Sequence, residues 1–188
     1  MTDFNDMLVT IQDHHWQLQK LSSTDTLTGL ANRRVFEQFL EQEWRLAQTK
    51  QEPLALAFID IDHFKRCNDR WGHRFGDQCL IRVAQAIQIS VRKSKDIVAR
   101  YGGDEFVLLL PGVNVQEALH IVDRVREQVK KLRITCMDHE AVPITVSIGL
   151  ASVIPVQTMQ KECLVELADQ AVYKAKHSGR DTIVTAND

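Results

Sequence analysis

Leu54-Ala55-Leu56-Ala57-Phe58-Ile59-Asp60-Ile61-Asp62 follows Pro53 and decides the fold. From Leu54 to Ile61 the run is almost continuously apolar and too short for a typical helix, which suits a central strand buried on both faces. Alternation with a period of two puts Asp60 on the face of Leu54, Leu56 and Phe58. An ionised carboxylate at the end of a buried strand needs a partner. Two readings follow. Either Asp60 sits just past the core edge while Asp62 caps the next helix, or Asp60 and a backbone carbonyl hold a hard cation such as Mg²⁺ through oxygen alone.

Downstream, Asp96 to Tyr101 and Glu105 to Leu110 are strand-like and flank Gly102-Gly103, a strong hairpin signal. Glycines suit a turn that approaches a bulky anionic ligand closely, but a turn does not need the two acids Asp104 and Glu105 that follow them. Read alone, the segment is a solvated acidic turn. Beside an acidic strand end, it can supply a second carboxylate edge for two Mg²⁺ ions about 3.5 to 4 Å apart, suited to in-line phosphoryl displacement. Between strand and hairpin lie Lys65, Asn68, Asp69, Gly72, His73, Gly76 and Asp77. Asp77 can accept from the N1–H and exocyclic amine of guanine and Asn68 can meet the remaining edge, whereas adenine lacks that donor pair. Both residues are equally at home as loop and helix caps.

The remaining elements predict helices over Arg33–Ala47 (burying Phe36, Phe39, Leu40 and Ala47), His63–Asn68, Gly76–Arg92, Val115–Leu132 and Glu162–Lys176. Strands are predicted at Pro143–Val153 and Thr182–Thr185, with Ser22 to Asn32 as a loop. This order gives a mixed sheet covered by helices rather than a doubly wound parallel sheet. Phe4, Met7, Ile11, His14, Leu18 and Leu21 follow a 3-4-3-4-3 spacing, which predicts a helical stalk over 1–22 with a weak coiled-coil seam, ahead of a globular domain over 23–188.

The chain has 188 residues, 44% of them hydrophobic and 26% charged, enough for one domain that stands without disulfides or a structural metal. Lys and Arg number 23 against 25 Asp and Glu, a net charge of −2 that argues against a DNA-binding surface. Cys67, Cys79, Cys136 and Cys163 have neither zinc-site spacing nor disulfide-scaffold density and read as reduced thiols. No apolar run approaches the roughly 20 residues needed to cross a bilayer, so a cytoplasmic domain is expected, with any anchor in a longer protein.

Four segments in register resemble the GGDEF domain, the diguanylate cyclase catalytic module. They are Asp25 to Arg34 (DTLTGLANRR), Asp60 to Asp69 (DIDHFKRCND) with Gly72-His73 and Gly76-Asp77, Gly102 to Phe106 (GGDEF), and Tyr173 to Lys176 (YKAK) with Gly179-Arg180-Asp181. The likeness runs from Asp25 to Asp181. It implies an α+β fold, an α/β sandwich whose central, mainly antiparallel sheet is flanked by helices, like nucleotide cyclases and polymerase palms. It also implies a reaction: two GTP condense into cyclic di-GMP with release of two pyrophosphates.

Carried over, Asp60, Asp104 and Glu105 resemble the acidic metal centre, with Ile61 offering a carbonyl to Mg²⁺ (Mn²⁺ as a substitute) and Asp104 and Glu105 as catalytic acids. Asp104 also matches a proposed base for the 3′-hydroxyl, although a carboxylate on Mg²⁺ is a poor proton acceptor and metal activation of the hydroxyl would make it unnecessary. Asn68 and Asp77 match guanine readers. Lys65, His73, Gly102 and Gly103 match positions near substrate, and Lys176 and Arg180 suit the phosphates.

One domain holding one GTP makes half a product, so a homodimer with facing half-sites is expected, tethered by the stalk. The chain is expected to be the output end of a longer signalling protein. Many family members carry Arg-x-x-Asp as a product-binding inhibitory site; here the matching positions are Lys93-Ser94-Lys95-Asp96, so Lys93 and Asp96 form a degenerate version lacking the arginine fork. The alternative to an enzyme is a catalytically silent module that binds GTP or cyclic di-GMP.

Overall fold

The computed structural model describes residues 23–92, 95–135 and 141–186. The expected stalk, Lys93 and Cys136 lie outside the described residues. In chain order the elements are β1 (Ala31–Asn32), α1 (Arg33–Lys50), β2 (Leu54–Ile61), α2 (Phe64–Trp71), α3 (His73–Ile89), β3 (Ile97–Gly102) and β4 (Glu105–Pro111). They continue with α4 (Val115–Lys130), β5 (Ile134–Thr135), β6 (Ala141–Val142), β7 (Val146–Val153), α5 (Lys161–His177) and β8 (Ile183–Thr185). The six-stranded sheet runs β1-β3-β4-β2-β7-β8. β2 pairs antiparallel with β4 and β7, and β3 with β4, while only the edge strands β1 and β8 pair in parallel. The mainly antiparallel, helix-flanked architecture is therefore present.

β2 is central and buried throughout. Its alternation divides the core: Ala55, Ala57, Ile59 and Ile61 face Leu80, Val83 and Ile87 of α3 and Val122, Val125 and Val129 of α4. Leu54, Leu56 and Phe58 face Phe36 and Leu40 of α1 and Leu164, Ala168 and Val172 of α5. Asp60 continues the second face. The α1 register differs from the predicted one: Trp44 is buried with Phe36, Leu40 and Ala47, whereas Phe39 is 37% exposed. The seam runs through Phe36, Leu40, Trp44 and Ala47, and Phe39 precedes Leu40 by one residue, roughly 100° around the helix, on its flank.

Three further differences concern short pairings and helix ends. The predicted loop before α1 contains β1, held by pairing with β3, and a small β5–β6 hairpin sits ahead of β7. α2 and α3 nearly abut at Gly72, whose φ of 83° and N–H bond to the Asn68 carbonyl let one helix end and the next begin. Asp62 does not cap α2, which has no side-chain cap at all; Asp62 bonds instead to β7 and to the turn before β8.

The contact between α5 and β7 is closed by Gly149. A Cβ there would lie 2.0 Å from the Val172 nitrogen and 2.3 Å from the Ala168 carbonyl oxygen, both backbone atoms that cannot turn aside. Gly149→Ala is expected to destabilise the domain by about 1–3 kcal/mol or more, read as a lower urea midpoint; an unchanged midpoint would contradict this packing.

Candidate functional site

The site forms at one end of the sheet, where β2 finishes beside the β3–β4 turn. Asp60 pairs in register with Glu105, and the Ile61 N–H donates to the Asp104 carbonyl at 3.3 Å, so the strand tip and the acidic turn are direct neighbours. Asp60 is 8% exposed and Oδ2 accepts from Lys176 Nζ, at the end of α5, at 2.6 Å. Burial raises the Asp60 carboxyl to about 6; Lys176 opposes the rise, and the negative charges of Asp104 and Glu105 add to it. The structure thus brings together Asp60, Asp104, Glu105 and Lys176, the group most separated in sequence.

The turn is braced from outside. Arg100 donates through Nε and Nη2 to the Gly103 carbonyl at 3.0 and 2.7 Å, and through Nη1 to both Asp25 oxygens at 3.2 Å. Asp25 Oδ1 in turn accepts from the N–H and hydroxyl of Thr28. Burial alone would raise Asp25, but the Thr28 bonds and Arg100 hold it below its ordinary value. Gly103 has φ 42°, where a side chain would be strained, and the β3–β4 register shifts between Arg100 and Gly102. Behind the turn, Tyr101 packs edge-on against Phe36 and Phe58, with the Arg33 guanidinium 4.4 Å from its ring centre.

Asn68 lies on α2 against the start of α3. A Cβ on Gly76 would sit 1.9 Å from Asn68 Oδ1, so the glycine makes room for that amide. Among the described residues the buried Asn68 Oδ1 has no hydrogen-bond partner, a costly arrangement unless something else completes it. Asp77 follows Gly76 directly and is exposed, as are Lys65 and His73. Arg180 is exposed in a turn where Gly179, Arg180 and Asp181 have φ of 106°, 64° and 42°. A cavity of about 630 Å³ lies between α2 and the segment ahead of β7, lined by Asp62, His63, Cys67, Arg70 and Thr145 among others.

An all-oxygen set of buried and half-buried carboxylates is the donor chemistry that Mg²⁺ takes. Among the described residues no three His, Cys, Asp or Glu side chains converge as a complete metal cage. The cation already on Asp60, the Lys176 ammonium, marks where positive charge is stabilised.

The sequence gives no role to Arg100, Thr145 or Ser147, and to Asp62 none beyond that of a helix cap. Thr145 and Ser147 were legible as two hydroxyls spaced by two at the head of an apolar strand. Asp96 is buried, with its carboxylate taken by the Arg92 N–H at 2.8 Å and by the Arg92 guanidinium. Cys67 and Cys79 are buried free thiols that burial raises, Cys79 to about 12, and Cys163 is free and half-buried. Among the described residues no helix is long and apolar enough to cross a membrane.

Comparison with known proteins agrees with this geometry. The family described as "Diguanylate cyclase, GGDEF domain" matches residues 22–182, and the chain belongs to that family. It is 36% identical over 171 residues to the probable diguanylate cyclase DgcC of Escherichia coli, covering 91% of this chain and 45% of DgcC. It is 38% identical over 159 residues to the diguanylate cyclase DosC of Escherichia coli, covering 85% of this chain and 34% of DosC. The chain therefore spans less than half the length of these curated relatives. Among solved structures, the GGDEF domain of DgcB from Caulobacter crescentus in complex with c-di-GMP superposes with a TM-score of 0.84 at 34% identity, covering 89% of this chain and 97% of that one.

The raised Asp60 carboxyl gives a measurable expectation. Because its folded value, about 6, lies above the ordinary 3.8, the protonated form favours the metal-free fold; that contribution is full below pH about 4 and lost as pH rises through about 6. Side-chain ¹³C titration should place the metal-free midpoint near 6, with Mg²⁺ driving it down because a cation favours the carboxylate. A midpoint near 4 that ignores Mg²⁺ would contradict both.

Proposed function

We propose that this domain condenses two GTP into cyclic di-GMP, releasing two pyrophosphates, with each of two copies presenting one bound GTP across a twofold axis. The observation that carries this reading is Asp60, a buried carboxylate held beside Asp104 and Glu105 and neutralised only in part by Lys176. Such a cluster has no structural purpose that an apolar strand end would not serve better, because like charges in a dry site destabilise the free protein. The names of the relatives support the same activity.

In this reading Asp60, Asp104 and Glu105 with the Ile61 carbonyl hold Mg²⁺, or Mn²⁺ in its place, which when bound neutralises triphosphate charge. Asp77 accepts from guanine's N1–H and exocyclic amine and Asn68 meets the remaining edge; among the described residues nothing bonds Asn68 Oδ1, which leaves it a partner to gain from a ligand. Gly102 and Gly103 admit the nucleotide close to the backbone, with Lys65 and His73 at its border. Lys176 and Arg180 meet the phosphates and stabilise charge growing on the leaving pyrophosphate. Each 3′-hydroxyl, losing its proton to Asp104 or to water, attacks the α-phosphorus of the facing GTP; a new P–O bond forms and the bond to pyrophosphate breaks. Residues 1–22 tether the two domains, and the domain serves as the output end of a longer cytoplasmic or membrane-anchored signalling protein.

Incubation with GTP and Mg²⁺ should yield cyclic di-GMP and pyrophosphate, and Asp104→Ala should abolish turnover with folding intact. Asn68→Ala or Asp77→Ala should raise KM for GTP about 10- to 100-fold, the worth of a charged or otherwise buried hydrogen bond. GTP retained without conversion would instead indicate a binding module.

The degenerate inhibitory site predicts weak feedback. Lysine at 93 lacks the planar fork, and Asp96 is already engaged by Arg92, with its side chain fully buried. Product affinity at this position should be ten-fold or more weaker than an arginine site provides. Submicromolar product binding that Lys93→Ala abolishes would overturn this.

A further inference from the structure

Asp62 lies two residues beyond Asp60 and is 6% exposed, yet among the described residues no Lys or Arg pairs with it in the way Lys176 pairs with Asp60. Its carboxylate is held by neutral donors: Oδ1 accepts from the Ser147 hydroxyl at 2.7 Å, and Oδ2 from the Thr145 hydroxyl at 2.7 Å and the Asp181 backbone N–H at 3.0 Å. The Asp181 carboxylate is gripped from α4, Oδ1 by Arg126 at 3.1 Å and Oδ2 by Lys130 at 2.7 Å. Burial opposes ionisation of Asp181, but Lys130 and Arg126 hold it below its ordinary value.

Between these two anchors the chain is in an unfavourable conformation. Arg180 and Asp181 are consecutive non-glycine residues with φ of 64° and 42°, a geometry that persists only where surrounding contacts over-determine it. The Arg180 N–H also bonds the Ala175 carbonyl at 3.2 Å, closing the turn back onto α5 near Lys176.

We infer that Asp62 is a positioning residue: by holding the Asp181 amide it fixes the Gly179-Arg180-Asp181 turn against the tip of β2 and presents Arg180 to the substrate triphosphate. This rests on the assignment of Arg180 to phosphate made above. Asp62 thereby joins the strand that carries Asp60 to the turn that carries Arg180, so the two halves of the site move as one body.

The chemistry of the cage separates this role from metal ligation. In Asp62→Asn, the remaining oxygen can face Thr145 and the Asp181 N–H, and the new NH₂ can face the Ser147 hydroxyl, which rotates to accept. Asparagine therefore keeps the turn, whereas Asp62→Ala releases it. In amide hydrogen exchange of the full chain, Asp62→Ala should accelerate Arg180 and Asp181 at least tenfold, with Asp62→Asn close to wild type. In steady-state assays Asp62→Ala should raise KM for GTP about tenfold, leave kcat and the Mg²⁺ concentration for half-maximal rate within about threefold, and be rescued by Asp62→Asn.

An asparagine variant as impaired as alanine, a raised Mg²⁺ requirement, or unchanged exchange in folded Asp62→Ala would overturn the inference. Should the alanine variant fail to fold, Asp181→Ala tests the other anchor: it keeps the amide but loses Arg126 and Lys130, and should speed exchange at Arg180 and raise KM several-fold. Unchanged exchange there would overturn it equally. The exchange measurements need no turnover, so a wild type that neither binds nor converts GTP would remove the phosphate role of Arg180 while exchange still judged the anchoring.

Discussion

A carboxylate at the dry end of a central strand governs this end of the molecule. Asp60 sits where the core gives way to solvent, beside a turn carrying two more acids, and the resulting repulsion must be met by cations. Surface ion pairs are generally worth little, but a pair around a group 8% exposed is screened far less. The Lys176 contact is therefore the interaction on which the free site depends. α5 must be placed accurately for it, and that explains why its packing leaves no room for even a methyl group at Gly149.

The rest of the fold serves as a frame for that end of the sheet. β2 is fixed on both edges by β4 and β7 and covered on both faces, so its tip has little freedom. Polar braces then lock the three chain segments that leave the frame. Arg100 ties the glycine turn to Asp25, Gly76 lets Asn68 pack into the α2–α3 junction, and Asp62 ties β7 and the Arg180 turn to the strand. The Arg100–Asp25 brace and those of Asp62 join residues 75 to 119 apart in sequence, so assembling the site requires the whole domain to be folded. The one buried polar atom left unpaired among the described residues, Asn68 Oδ1, lies where the frame meets the proposed base pocket.

Much of this was legible in the sequence because its signals are local. Leu54–Ile61 announced a buried strand through an unbroken apolar run, and Gly102-Gly103 announced a hairpin, so Asp60 and Glu105 could be expected to meet. The α1 register was misread at Phe39 because several helical stripes are compatible with the same apolar residues, and only packing against β2 selects one. β1 and the β5–β6 hairpin are two residues per strand, too short for any periodicity to show. An Asp just before a helix ordinarily caps it, and a cap is the role the sequence offers for Asp62 in one of its two readings. Its real partners, Thr145, Ser147 and Asp181, lie more than 80 residues away, at separations of 83, 85 and 119. Two hydroxyls spaced by two mark the head of β7, but nothing along the chain points from them to Asp62.

The Lys176–Asp60 pair also bears on how the proposed substrate enters. In the free protein the ammonium lies 2.6 Å from the carboxylate that a cation would claim. A cation arriving alone must displace it and gains only the difference between two favourable contacts. A nucleotide triphosphate arriving with its cation changes both sides at once, since the phosphates offer the displaced ammonium a new partner while the cation takes Asp60. Binding of metal and nucleotide is then mutually favourable, and by linkage each raises the affinity of the other by the same factor. In the proposed enzyme the ion pair would thus keep the acidic tip stable while free and bias it against holding a cation without substrate, a selectivity arising from one lysine placed by the last turn of α5.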